Sequence, residues 1–175
     1  MEFENAGIEI SHLPKAEDVP LQPIHPKYLA VLKLQWAITW IVVVAATGVL
    51  IYFSENLHHP ARIILIGVAI VVFASLNWVL IKRSFQRKSY AVREHDIMYQ
   101  TGWLVQSLRI CPFNRIQHCS VDVGLFERKY GLATLSVYTA GGNEADMKIP
   151  GLTTEIAASL RELVTRKTGI DASAS

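Results

Sequence analysis

"IQHCSVDVGLFERKYGLATLSVYT", Ile116 to Thr139, brings Cys, His, Asp, Glu, Arg and Lys into one short run. Whether those letters are a catalytic set or the wet face of a sheet decides the fold. Strand alternation places Cys119, Val121 and Val123 on one face with Phe113, and His118, Ser120 and Asp122 on the other, with Ile116 out of step. Cys119 and His118 then point to opposite faces and make no nucleophile and base pair. His118 and Asp122 share a face but lie about 13 Å apart at the usual strand rise, beyond a hydrogen-bonded dyad. The run reads as a strand with Cys119 as a small core residue, and no catalytic residue is assigned.

The flanks carry the same texture outward. "SYAVRE", "IMYQT" closed by Gly102, and "LVQSLRICPF" precede the run; "LATLSVYT" closed by "AGGN" and "DMKI" closed by Pro150-Gly151 end it. Short segments rich in Val, Ile, Tyr and Thr between turn residues predict an antiparallel sheet. The period then changes. In "TTEIAASLRELVTRKTG" the residues Ile156, Ala157, Leu160, Leu163 and Val164 recur at helical spacing, Thr153 or Thr154 suits the cap, Glu155 the first turn and Gly169 the exit. A helix with that stripe must lie on the sheet. The fold class is therefore α+β, a small bent antiparallel sheet or barrel plugged by a C-terminal helix.

Farther out, the composition needs a second explanation. Over 175 residues the chain is 51% hydrophobic and 18% charged, which is high for a soluble domain. The excess sits in "LQWAITWIVVVAATGVLIYF", Leu34 to Phe53, and "IILIGVAIVVFASLNWVLI", Ile63 to Ile81, neither of which holds a charged residue. About 20 residues at helical rise match the hydrocarbon thickness of a bilayer, so both are read as transmembrane helices. The leader before them is acidic and lacks a basic n-region, which argues for a retained span over a cleaved signal peptide. The expected organisation is an N-terminal tail over 1–30, a helical hairpin over 31–83, a domain over 84–170 and a short disordered tail over 171–175.

Basic residues orient the hairpin. Lys27, Lys33, Lys82, Arg83, Arg87, Lys88 and Arg93 flank its open end, whereas the linker offers Arg62, so both termini are expected in the cytoplasm. Trp36, Trp40 and Trp78 fall near that interface and read as membrane-interface anchors. Asn77, Thr39 and Thr47 inside the spans are read as interhelical hydrogen-bond partners beside Gly48 and Gly67. Cys111 and Cys119 are the only cysteines, and a reduced cytosolic pair requires no disulfide. Neither cysteine pairs with a histidine at zinc-site spacing, so no metal site is assigned. "TAGGN" lacks the Lys-Ser/Thr of a phosphate loop and reads as a hairpin turn. No cofactor and no nucleic-acid partner are expected.

"PFNRIQHCSVDVGLFERKYGLATLSVYTAGG", Pro112 to Gly142, resembles the bacterial pleckstrin-homology (PH) domain membrane proteins of the YdbS-like group, through the joint occurrence of RIQ, ER, GLAT and TAGG. Val123 stands where that group commonly has Gln, and Leu125 where it often has Pro. The resemblance extends in looser form from about residue 25 to 168. It implies a PH-like fold, a strongly bent sheet closed by the C-terminal helix, and a non-enzymatic module in the bacterial inner membrane, often found beside a larger protein with several such domains. Within the motif, Gly131 and Gly141-Gly142 suit turns. Arg115, Gln117, Glu127 and Arg128 suit a clamp between the loop "GLFERKYG" and the strand before it. The expected role is an interaction or scaffold subunit that docks a second membrane protein or another copy of the chain. The alternative is an anionic-phospholipid sensor using Lys82, Arg83, Arg87, Lys88, Arg128 and Lys129.

Overall fold

The computed structural model describes residues 20–54, 59–140 and 144–169. The tail before residue 20, residues 55–58 of the linker between the apolar blocks, the Gly141-Gly142 turn and the 171–175 tail lie outside the described residues.

Two long helices open the chain: α1 over Tyr28–Phe53 and α2 over Pro60–Phe85, 26 residues each. Their most apolar 18-residue windows have mean hydropathies of 2.1 and 2.6, and no residue in either window is buried. Both are long and apolar enough to cross a membrane, about 39 Å at helical rise. They pack side by side through Trp36, whose Nε1–H donates to the Ala74 carbonyl at 3.2 Å and whose ring sits 5.6 Å from that of Trp78. The threonines do not bridge the helices as expected. Thr39 donates to the Gln35 carbonyl and Thr47 to that of Val43, at 2.9 and 2.8 Å. A hydroxyl in an apolar setting takes the nearest acceptor, and in a helix that is the carbonyl four residues back.

Two antiparallel sheets follow. The first has the order β1-β2-β3-β4, with β1 Gln22–Pro23, β2 Ser89–Val92, β3 Asp96–Thr101 and β4 Ser107–Pro112. The second has the order β5-β6-β7, with β5 Ile116–Asp122, β6 Leu132–Thr139 and β7 Met147–Thr153. A short helix, α3 over Leu125–Tyr130, joins β5 to β6, and α4 over Thr154–Thr168 closes the chain. Ile97, Leu135, Val137 and Ile149 are fully buried between the layers, and α4 adds Ala157 and Val164. Ile156, expected in the same stripe, is exposed. Thr153 caps α4 by accepting the Ile156 N–H, and Gly169 ends it at φ 67°.

Four departures from the sequence reading have local causes. Residues 20–27 are not a tail: β1 pairs with β2, Gln22 opposite Tyr90, and Ile24 enters the core. Ile116 is out of step because the β5–β6 register shifts between Ile116 and His118; the extra residue restores Ile116 to the buried face with Cys119 and Val121. β7 does not stop at Pro150-Gly151 but runs through them on a second register shift, the kind of bulge at which a strand tolerates both residues. "LFERKY" is helical rather than loop. Here Glu127 Oε2 accepts the Gly124 N–H at 3.0 Å, satisfying a donor that opens the helix.

Candidate functional site

The letters of the opening run are spent on structure. His118 stacks on Tyr138, ring centroids 4.2 Å apart. Asp122 accepts from the buried Ser136 at 2.8 Å and from Ser120 at 3.2 Å. Cys119 packs at the edge of the core, its Sγ 3.9 Å from the Arg161 carbonyl. Burial pushes its thiol pKa up, outweighing the opposing effects of Thr165 and Arg161, the opposite direction from an activated nucleophile. Cys111 is raised as well, by burial and then by Asp146. Among the described residues no group of three or more His, Cys, Asp or Glu is placed to hold a metal ion.

What the chain does build is a junction between hairpin and domain, and two elements make it. On the α1 side, the His25 N–H donates to the Gly151 carbonyl at 2.8 Å and the Ile24 N–H to that of Lys88 at 3.4 Å. Gly151 has φ 70°, and a Cβ there would stand 2.8 Å from both Cβ and Cγ of Tyr28. The absent side chain is the space into which the first residue of α1 fits. Val31, one turn further on, is fully buried, and α3 lies against α1. On the α2 side only Gln86, Arg87 and Lys88 separate the helix from β2.

The expected lipid-contact residues divide between these two sides. Lys82 and Arg83 are exposed in the last turn of α2 and Arg87 just beyond it. Arg83 also holds its guanidinium over the Trp103 ring, 5.5 Å from the centroid, a cation–π arrangement. Lys88 is drawn inward: it is half-buried, its ammonium lies 5.6 Å from the Tyr28 ring, and burial lowers its pKa. Arg128 and Lys129 are exposed in the last turn of α3, on the α1 side.

Of the residues read as a clamp, Glu127 ties α3 down, but to partners the sequence did not suggest: the Gly124 N–H and, at 2.9 Å, the Thr134 hydroxyl. Arg115, Gln117 and Arg128 are exposed. Gly131 ends α3 at φ 66°, a positive-φ turn as expected. Trp36 and Trp78 pack against each other. Trp40 instead walls an open apolar groove along α1 with Trp36, Ala37, Ile41, Val44 and Ala45. Sequence reasoning missed the α1 latch entirely. Its one visible signal was Gly151 after Pro150, read as a stop.

The chain belongs to the bacterial PH domain family, whose model matches residues 28–168. It is similar to the transmembrane protein YdbS of Bacillus subtilis (strain 168), 33% identical over 152 residues, 84% of this chain and 92% of that protein. It is also similar to the transmembrane protein YdbT of the same organism, 27% identical over 119 residues, which is 66% of this chain but 23% of the longer protein. No solved structure matches it. The two sheets closed by α4 fit the PH-like expectation, and the family matched is one of PH domains, which is not a known enzyme family.

Proposed function

We propose that this protein is a non-enzymatic, membrane-anchored PH-like module of the bacterial inner membrane, with both termini cytoplasmic, that acts as an interaction subunit by docking a second membrane protein. The observation that carries this reading is the groove on α1. Ala37, Ile41 and Ala45 line it at four-residue spacing beside Trp36 and Trp40, and two of the three are alanines. Small residues let another helix approach closely where lipid supplies no hydrophobic drive. Likeness to a minor part of the longer YdbT supports a partner built from the same kind of module, either a larger protein carrying several PH domains or a second copy of this chain. The basic residues at the open end of the hairpin support the orientation.

Cysteines placed at Ala37 and Ala45 test the reading in native membranes. Each is expected to cross-link to a neighbouring chain through a short bifunctional reagent, and the complex to survive detergent extraction at high salt. A chain that cross-links to nothing from either position and runs as a lone protomer overturns it. A cysteine at Asn56, labelled by an impermeant reagent from outside while a reporter after Ser175 is active inside, checks the orientation.

A second reading rests on the exposure of Lys82, Arg83 and Arg87: recognition of an anionic phospholipid. Saturable binding to one head group, abolished by Arg128→Glu in a folded chain, would place it first.

A further inference from the structure

The turns of the domain differ by which end of the sheets they occupy. β2 starts just after α2 and leads away from it. β3 returns, pairing Gln100 with Ser89, so the β3–β4 turn, Gly102 to Gln106, projects past the sheet on the side of the α2 foot. The position of Trp103 under Arg83 agrees. At the tip of that turn Leu104 is 82% exposed and Val105 80%. β5 likewise runs back to the hairpin side, and where it gives way to α3 Leu125 is 86% exposed and Val123 47%. At the opposite end the exposed turn residues, among those described, are Glu94, His95, Asn114, Arg115, Ala140, Glu144 and Asp146. Among the described residues, no large apolar side chain is exposed in a turn there. Of the other exposed large apolar residues described in the domain, Trp103 lies in the β3–β4 turn itself, and Leu108, Ile110 and Ile156 lie on β4 and the first turn of α4.

An apolar side chain held fully in water at a turn tip forfeits the burial that stabilises the rest of the molecule. Here the tips stand beside the feet of two helices that reach into a bilayer, at the level where a leaflet begins. Cations flank them: Lys82, Arg83 and Arg87 by the β3–β4 turn, Arg128 and Lys129 on α3. Of the described acids on the same end, Asp122 and Glu155 are exposed and Glu127 is held by Gly124 and Thr134, so the five cations outnumber them. Apolar tips ringed by basic residues have the chemistry of an anionic lipid surface, whose interior takes the former and whose head groups attract the latter.

We propose that the hairpin-side rim of the domain is a second membrane contact, in which Leu104 and Val105 of the β3–β4 turn and Val123 and Leu125 at the junction of β5 and α3 insert into the anionic leaflet from which α1 and α2 emerge. The domain then lies flat against that leaflet. This goes beyond the docking role and holds whichever protein occupies the α1 groove.

The test uses the full chain in lipid nanodiscs. A fluorophore is attached through Leu104→Cys, Leu125→Cys or, at the far end, Asn114→Cys, with the unsubstituted chain correcting for label at Cys111 and Cys119. Lipids carrying a quencher high in the acyl chain are expected to quench positions 104 and 125 at least threefold more than 114, while aqueous iodide quenches 114 alone. Replacing the anionic lipid by a neutral one is expected to weaken quenching at 104 and 125. Equal quenching in both lipids overturns the part assigned to charge. Iodide reaching all three positions alike overturns the proposal. So does a label at 104 that neither quencher reaches, which would mean that protein covers the tip.

Discussion

The two feet of the hairpin reach one domain by different means. At the α2 foot the covalent link is short, three residues from Gln86 to Lys88, with Phe85 at the helix end packed against the core and Arg83 over Trp103 beside it. At the α1 foot the link is built from non-covalent parts: β1 on the edge of the first sheet, Ile24 in the core, two backbone hydrogen bonds, and Tyr28 seated where Gly151 has no side chain. The difference teaches where the geometry of the junction is decided. A tether of three residues sets how far the domain stands from the hairpin. The latch sets which way it faces, because it fixes a second point.

The strongest way to break that contrast is Gly151→Val. It forces a β-branched residue to φ 70° and drives its Cβ into Tyr28, which together should cost about 3–5 kcal/mol. The expected outcome is loss of thermal stability in detergent, with early proteolysis in residues 20–27 while the helices stay protected. A variant as stable as the parent would show that the latch contributes nothing.

A smaller effect is expected one element away, at the α3 support beside the same foot. Gly131→Val places a branched residue at φ 66° with nothing to collide with, so backbone strain alone acts, about 1–2 kcal/mol. That should exceed the loss from His118→Ala, which removes an exposed ring from a stacked pair worth about 1 kcal/mol at most. Equal melting temperatures for the two variants would argue that the β5 face is a site after all.

The smallest change sharpens the comparison from the other foot. Arg87 is exposed, and Arg87→Ala should shift stability by no more than about 0.5 kcal/mol. A loss rivalling that of Gly151→Val in the same melting experiment would move the decisive contacts to the α2 side.

Much of this was legible because two periods are hard to mistake. Apolar blocks of about 20 residues and the alternation around Cys119 announce themselves without tertiary knowledge. What stayed hidden was short or conditional. Gln22–Pro23 is too brief to have a period, and it is a strand only because Ser89 and Tyr90 lie beside it. Six residues are too few for α3 to show a stripe, and its N-cap is Gly124 rather than the Ser or Thr that usually marks a start, with Glu127 reaching back to the Gly124 N–H. Pro150-Gly151 carries the composition of a turn, and only pairing with β6 makes it a bulge. The basic residues of the site could be found by their nearness to the apolar blocks. Trp103 could not, since its place under Arg83 follows from the register of β2 and β3.

The pairing of β1 with β2 also bears on how the chain is made. β1 leaves the ribosome before either long helix and β2 only after both, yet the two must meet as neighbours in one sheet. In the proposed hairpin topology, a second helix that fails to return across the bilayer leaves the strands on opposite sides, and Ile24 has no core to enter. Completion of the first sheet thus depends on correct insertion: a hairpin threaded wrongly leaves β2 with an open sheet edge and Ile24 unburied.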